Sequence, residues 1–188
     1  MGLKGADNVR EMTKADPHYD QAGQLGRGDL YFATAGRVRA LKSKALTVAA
    51  GGVHTACITV DGLYTWGLNH EGQLGLPPQV ARTVLLPRHV PAAKATFVSV
   101  ACGAHHTAAL TNNGHVYVWG YNNCGQVVPD RERLCIDEPT HLDGIVGARQ
   151  VACGDLHTAV LSINGYCYTW GSNSHGQLGS DTQQEVPF

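Results

Sequence analysis

Short apolar runs alternate with glycine-marked turns along most of this chain, and no stretch shows the three-to-four-residue apolar spacing of an amphipathic helix. Thr55–Val60 and Leu63–Trp66 are rich in β-branched and aromatic residues and flank Asp61-Gly62. A dipeptide of that kind supplies the left-handed residues of a two-residue hairpin turn, so the pattern predicts two antiparallel strands. Asn113-Gly114 and Asn164-Gly165 sit between similar runs and predict the same turn twice more. Ahead of each hairpin, a Val-Ala-Cys-Gly or Val-Ala-Ala-Gly stretch reads as a further strand ended by glycine, and a stretch containing Pro87–Val90 or Pro139–Leu142 is a candidate for a fourth.

The hairpins belong to an internal repeat. Val48–Leu76, Val100–Val128 and Val151–Ser180 fall into one register. His54, His106 and His157 follow one another at spacings of 52 and 51 residues, and Trp66, Trp119 and Trp170, all the tryptophans of the chain, at 53 and 51. Each Trp is followed by Gly-x-Asn-x-x-Gly-Gln, placing Gly72-Gln73, Gly125-Gln126 and Gly176-Gln177 at equivalent positions. The asparagines suit turn capping and the glycines left-handed backbone. A degenerate copy lies upstream: Gly23-Gln24-Leu25-Gly26 repeats Gly72-Gln73-Leu74-Gly75, but its Trp position falls on Pro17. The organisation expected is an irregular N-terminal segment over 1–22, then a repeat array over 23–188. Its units run at about 27–76, 77–128 and 129–179, with the start of another at 180–188. Three or four short antiparallel strands per repeat of about 50 residues is the signature of propeller blades. The fold class expected is therefore all-β, a partial β-propeller of about three four-stranded antiparallel blades.

Composition narrows the function. Glycine is raised, 23 of 188 residues, as turns between short strands require, while proline at 8 is ordinary. Fourteen Lys+Arg against fifteen Asp+Glu leave a net charge of −1, with no cationic surplus to neutralise a run of phosphates, so nucleic acid is not an expected partner. No apolar stretch approaches the ~20 residues that span a bilayer, and the N-terminus lacks the apolar core of a signal peptide. Six cysteines with no Cys-x-x-Cys pair fit thiols kept reduced. The expectation is an intracellular protein of cytoplasm or nucleus.

The repeated string Val-Ala-Cys-Gly-x-x-His-Thr-Ala-x-Leu, then Gly-x-x-Tyr-x-Trp-Gly-x-Asn-x-x-Gly-Gln-Leu-Gly, resembles the repeat of the regulator of chromosome condensation family. The likeness runs from about Gly23 to Gly179. Two departures stand out: the first unit is one residue short between Gly62 and Trp66, and the second reads Gln126-Val127-Val128 for Gln-Leu-Gly. The resemblance implies a seven-bladed propeller, of which three blades and two partial units are present here.

Candidate chemistry is sparse. The glycines lack the P-loop form, no Ser or Cys sits in a nucleophile elbow, and the repeated His and Cys fall one blade apart rather than converging on a metal. No catalytic residue, cofactor or metal is expected. The repeated His is expected to hydrogen-bond within its own blade and the Trp to fill the space between blades. The variable residues of the strand-end turns are more informative: Gly52-Val53, Ala104-His105 and Asp155-Leu156. In the Ran exchange factor of the resembled family, acidic residues in such turns face the GTPase, and Asp155 is the acid at that place here. His105 stands in the equivalent turn of the second unit, one place later than the residue matching Asp155. Arg82 and Arg88 in the Leu76–Ala95 loop, with Arg131 and Arg133 in Pro129–Asp143, are the other exposed candidates. Two functions stay open: a protein-interaction scaffold within a larger complex, and a guanine-nucleotide exchange factor for a small Ran-like GTPase. The partner in either case is a protein, a small GTPase or another chain completing the propeller.

Overall fold

The computed structural model describes residues 22–28, 35–91, 95–130 and 132–180. The expectations for 1–21 and for the unit beginning at 180–188 lie outside this range, as does Arg131; of that last unit only Ser180 is described. No described residue is helical. Eleven strands form three antiparallel sheets among the described residues. Blade 1 is β1 (Ala45–Ala50), β2 (His54–Thr59), β3 (Gly62–Leu68) and β4 (Thr83–His89), hydrogen-bonded in that order. Blade 2 repeats it with β5 (Phe97–Cys102), β6 (His106–Thr111), β7 (Val116–Tyr121) and β8 (Cys135–His141). Blade 3 has β9 (Ala148–Cys153), β10 (His157–Ser162) and β11 (Cys167–Gly171). The fourth strands of blades 1 and 2 contain Pro87 and Pro139, which an outer strand tolerates because its free edge needs no donor.

Blades stack through their first two strands: β5 packs on β1 and β2, and β9 on β5 and β6. The first strands therefore form the inner layer and β4 and β8 the outer edge. Sequence unit and sheet are staggered, since the unit starting at 77 contributes β4 to the sheet of the preceding one. The principal core lies between blades, with Trp119 and Trp170 almost fully buried among Ala108, Val118, Ile136 and Val151. A smaller cluster gathers Trp66, Leu74 and Val84 at blade 1.

The hairpins depart from the two-residue Asp-Gly and Asn-Gly turns expected. In blade 1 Thr59 pairs with Gly62, so the two loop residues are Val60-Asp61 and Gly62 opens β3. In blade 2 the Thr111 N–H donates to His115 O at 2.9 Å, and Gly114, with φ of 80°, closes the three-residue loop Asn112-Asn113-Gly114. Blade 3 does the same with Ile163-Asn164-Gly165. The loops of blades 2 and 3 take three residues ending in a left-handed glycine, whereas the loop of blade 1 takes two, which is why the first unit is one residue shorter.

No helix among the described residues is long and apolar enough to cross a membrane.

Candidate interaction site

Each boundary between blades is closed by the same joint. The Trp119 indole N–H and the Thr107 hydroxyl both donate to the Gln73 carbonyl, at 3.0 and 2.8 Å. His54 Nε2 lies 2.8 Å from Thr107 Oγ1. Because the threonine proton is directed at the carbonyl, its oxygen accepts from the imidazole, and His54 is held as the neutral Nε2–H tautomer. The next boundary repeats the histidine and threonine bonds of this joint, with His106 Nε2 at 3.0 Å from Thr158 Oγ1 and Thr158 donating to Gln126 O at 2.8 Å. The expectation that each His bonds inside its own blade is thus corrected: it reaches forward to the threonine of the following blade. The histidine stands at the start of the second strand, on the face turned to the next sheet, so its nearest polar partner is there.

The upstream Gly-Gln-Leu-Gly copy makes the same joint. Gln24 O accepts from Trp66 Nε1 at 2.7 Å and from Thr55 Oγ1 at 2.9 Å. Gly23–Gly26 therefore docks on blade 1 as Gly72–Gly75 docks on blade 2. The Asn of each unit shapes the loop that delivers the glutamine: Asn69 Oδ1 accepts from Leu74 N, and its amide donates to Leu76 O and Ala81 O. Asn122 and Asn173 hold Val127 N and Leu178 N in the same way. The sequence marked histidine, tryptophan and glutamine, but not the threonine after the histidine as their common partner. Its recurrence as Thr55, Thr107 and Thr158 was the available signal.

Burial dominates the electrostatics here. It lowers the His54 pKa to about 3 and that of His106 to about 4, with neighbouring histidines adding to the effect. Burial also pushes the Cys102 thiol up to about 12 and the Cys153 thiol higher still, too basic for a nucleophile at neutral pH. None of the six cysteines forms a disulfide. Among the described residues no three or more His, Cys, Asp or Glu side chains are grouped to hold a metal ion.

The strand-end turns meet one another. Gly52 N donates to Gly103 O at 3.2 Å, and Ala104 N donates to Asp155 O at 3.1 Å, linking the turns of blades 1, 2 and 3 into one continuous rim. Gly103 is required at this crossing, because a Cβ there would meet the His106 ring and lie 2.6 Å from Gly154 O. The variable residues stand on this rim. Asp155 is exposed; His105 is half-buried, its Nδ1 3.4 Å from Glu71 Oε2 and its ring against Tyr121. Glu71 and Asp137 both bear electrostatically on Cys135 at the start of β8, an acidic neighbourhood the sequence did not single out. Arg82 is exposed at the same end, immediately before β4, where its carbonyl accepts from Asn69 N. Arg88 is exposed near the far end of β4, opposite Thr65, and is not brought together with the others.

The regulator of chromosome condensation (RCC1) repeat matches residues 61–110 and 113–161, and a second description of the same repeat matches 46–73, 97–126 and 148–177. The chain belongs to the RCC1 repeat family. A mitochondrial RCC1 domain-containing protein of Arabidopsis thaliana, RUG3, is 36% identical over 154 residues, covering 77% of this chain and 34% of that protein. The secretion-regulating guanine nucleotide exchange factor of Bos taurus is 33% identical over 165 residues, covering 77% and 35%. Yeast RCC1 (Prp20), solved bound to Kap60, superposes with a TM-score of 0.74 at 25% identity, covering 89% of this chain and 41% of that one. The chain spans about a third of the length of these curated relatives. Its three RCC1 blades carry the partial propeller expected from the repeat.

Proposed function

We propose that this RCC1 repeat array is a protein-interaction scaffold whose contact surface is the rim of strand-end turns. The observation that carries this is the pair of backbone hydrogen bonds through Gly103 O and Asp155 O, which fix three turns of variable sequence side by side on a rigid support. Constant joints below and variable residues above are what a binding module needs: the fold is held by one set of side chains and specificity is set by another. In this reading Asp155 and His105 contact the partner directly, with Arg82 beside them, while Arg88 at the opposite end serves a separate surface. In this reading the chain acts by binding, in an intracellular setting.

The test is a binding titration against a candidate protein partner. Asp155→Arg weakens the complex at least about tenfold, whereas Arg88→Glu leaves it within about twofold. Equal loss from both, or from neither, overturns the assignment of the rim.

Likeness to a named exchange factor favours a second reading, in which the rim displaces nucleotide from a small Ran-like GTPase by binding its empty form. Release of labelled GDP from such a GTPase is accelerated by this chain and lost in Asp155→Ala if that reading holds. Binding to the GTPase without acceleration leaves the scaffold alone.

A further inference from the structure

Blade 2 carries a polar cluster that the repeat itself does not need. In blade 1, His89 at the end of β4 packs edge-on against Tyr64, and in blade 2 His141 makes the same contact with Tyr117, with ring centroids 5.3 and 5.4 Å apart. That contact is the shared structural role. Blade 2 adds His115, at the place missing from the shorter first hairpin, and Asp143, where blade 1 has Pro91. His115 Nδ1 lies 2.9 Å from His141 Nε2, and His141 Nδ1 lies 2.9 Å from Asp143 Oδ1. An ionised carboxylate only accepts, so His141 holds its proton on Nδ1 and aims the Nε2 lone pair at His115. The hairpin is fixed in place, since the His115 N–H donates to Thr111 Oγ1 at 3.0 Å. A cleft of about 360 Å³, also lined by Asn113 and Tyr117, opens beside the two rings.

We propose that His115 and His141 bind one divalent transition-metal ion of the class that prefers imidazole, Zn²⁺ or Cu²⁺, with Asp143 as the residue that orients His141. Two nitrogens each ~2.0–2.1 Å from one metal stand about 2.9 Å apart at a right angle and about 3.3 Å apart in a tetrahedron, so the 2.9 Å separation fits square copper coordination and needs to open by only about 0.4 Å for zinc. The ion takes the Nε2 lone pair of His141. It takes Nδ1 of His115 once that ring moves its proton to Nε2, so no proton is lost overall, and water fills the remaining positions from the open cleft. The carboxylate behind His141 fixes its tautomer and ring orientation, as carboxylates do behind metal-bound histidines. The ion ties the β6–β7 hairpin to the segment leaving β8, at the end of blade 2 opposite the rim of turns.

The experiment is Zn²⁺ titration of the full chain by calorimetry, with Cu²⁺ bound at one equivalent read by electron paramagnetic resonance. The expected result is one tight equivalent, weakened at least about tenfold in His115→Ala and about tenfold in Asp143→Asn, the usual range for an orienting partner. The copper spectrum shows coupling to two nitrogens in the parent and one fewer in His115→Ala. That variant keeps the His141–Tyr117 contact, so its fold, checked by circular dichroism, is retained. No uptake by the parent overturns the proposal. So does unchanged affinity in His115→Ala, which would assign the ion to another exposed histidine such as His70 or His175.

Discussion

Thr107 is the residue on which most converges, because one hydroxyl serves two blades. Replacing it with valine keeps shape but leaves the Gln73 carbonyl without one of its donors and the His54 Nε2–H without its acceptor. Unsatisfied buried groups cost about 1–3 kcal/mol each, so Thr107→Val should destabilise by about 2–4 kcal/mol in urea unfolding. The equivalent change at Thr55 loses a single donation, to Gln24 O, at a half-buried site and should cost less. The histidines give a pH signature. Their folded pKa values, about 3 for His54 and about 4 for His106, lie below the unfolded value of 6.5. Above pH 6.5 both states are neutral and the full stability is present. Below it the unfolded chain takes up protons that the folded one refuses, so stability falls as pH drops toward 4. The slope approaches about 1.4 kcal/mol per pH unit for each histidine. His106→Gln should flatten this slope in unfolding measured between pH 7 and 4.5; an unchanged slope would show that His106 is not the titrating group.

At the scale of the element, the strands were legible and the turns less so. Val, Thr and aromatic residues between glycines locate β2, β3, β6, β7, β10 and β11 to within a residue or two, and Pro87 and Pro139 mark the outer strands. What failed was turn length. Asn-Gly signals left-handed backbone, but whether glycine is the second of two loop residues or the third of three depends on the pairing register, which local sequence does not state. At Gly165, with φ of 85° and nothing within 4 Å of an added Cβ, alanine should cost about 1 kcal/mol through backbone strain. At Gly103 the cost should be far larger, because the added Cβ meets both the His106 ring and the carbonyl of Gly154 and the blades must part. Thermal melts of the two variants should separate these mechanisms, with Gly103→Ala the lower by a wide margin.

For the whole molecule, stacking decides which copy of a repeated residue is protected. β2, β6 and β10 read HTACIT, HTAALT and HTAVLS, yet β6 is buried on both faces while β10 is buried only at alternate positions. Hydrogen exchange should therefore be slowest in β6 and β7, between blades 1 and 3, and faster in β10 and β11. Uniform protection across the three blades would contradict this order.

The sequence alone determined the strand content, the repeat and its period, because alternation and turn chemistry are local and were written three times over. It did not determine burial. Val48, Val100 and Val151 occupy one repeat position, but Val48 is 66% exposed where the others are 7% and 6%, since β5 and β9 each have a preceding blade against them and, among the described residues, this face of β1 does not. The histidine's partner was hidden for the same reason, lying 53 residues away across a boundary. So was the rim, which brings His105 and Asp155 together and leaves Arg88 apart. Local sequence specifies each blade; neighbouring blades decide what each repeated side chain touches, because the core of this fold lies between sheets rather than within them.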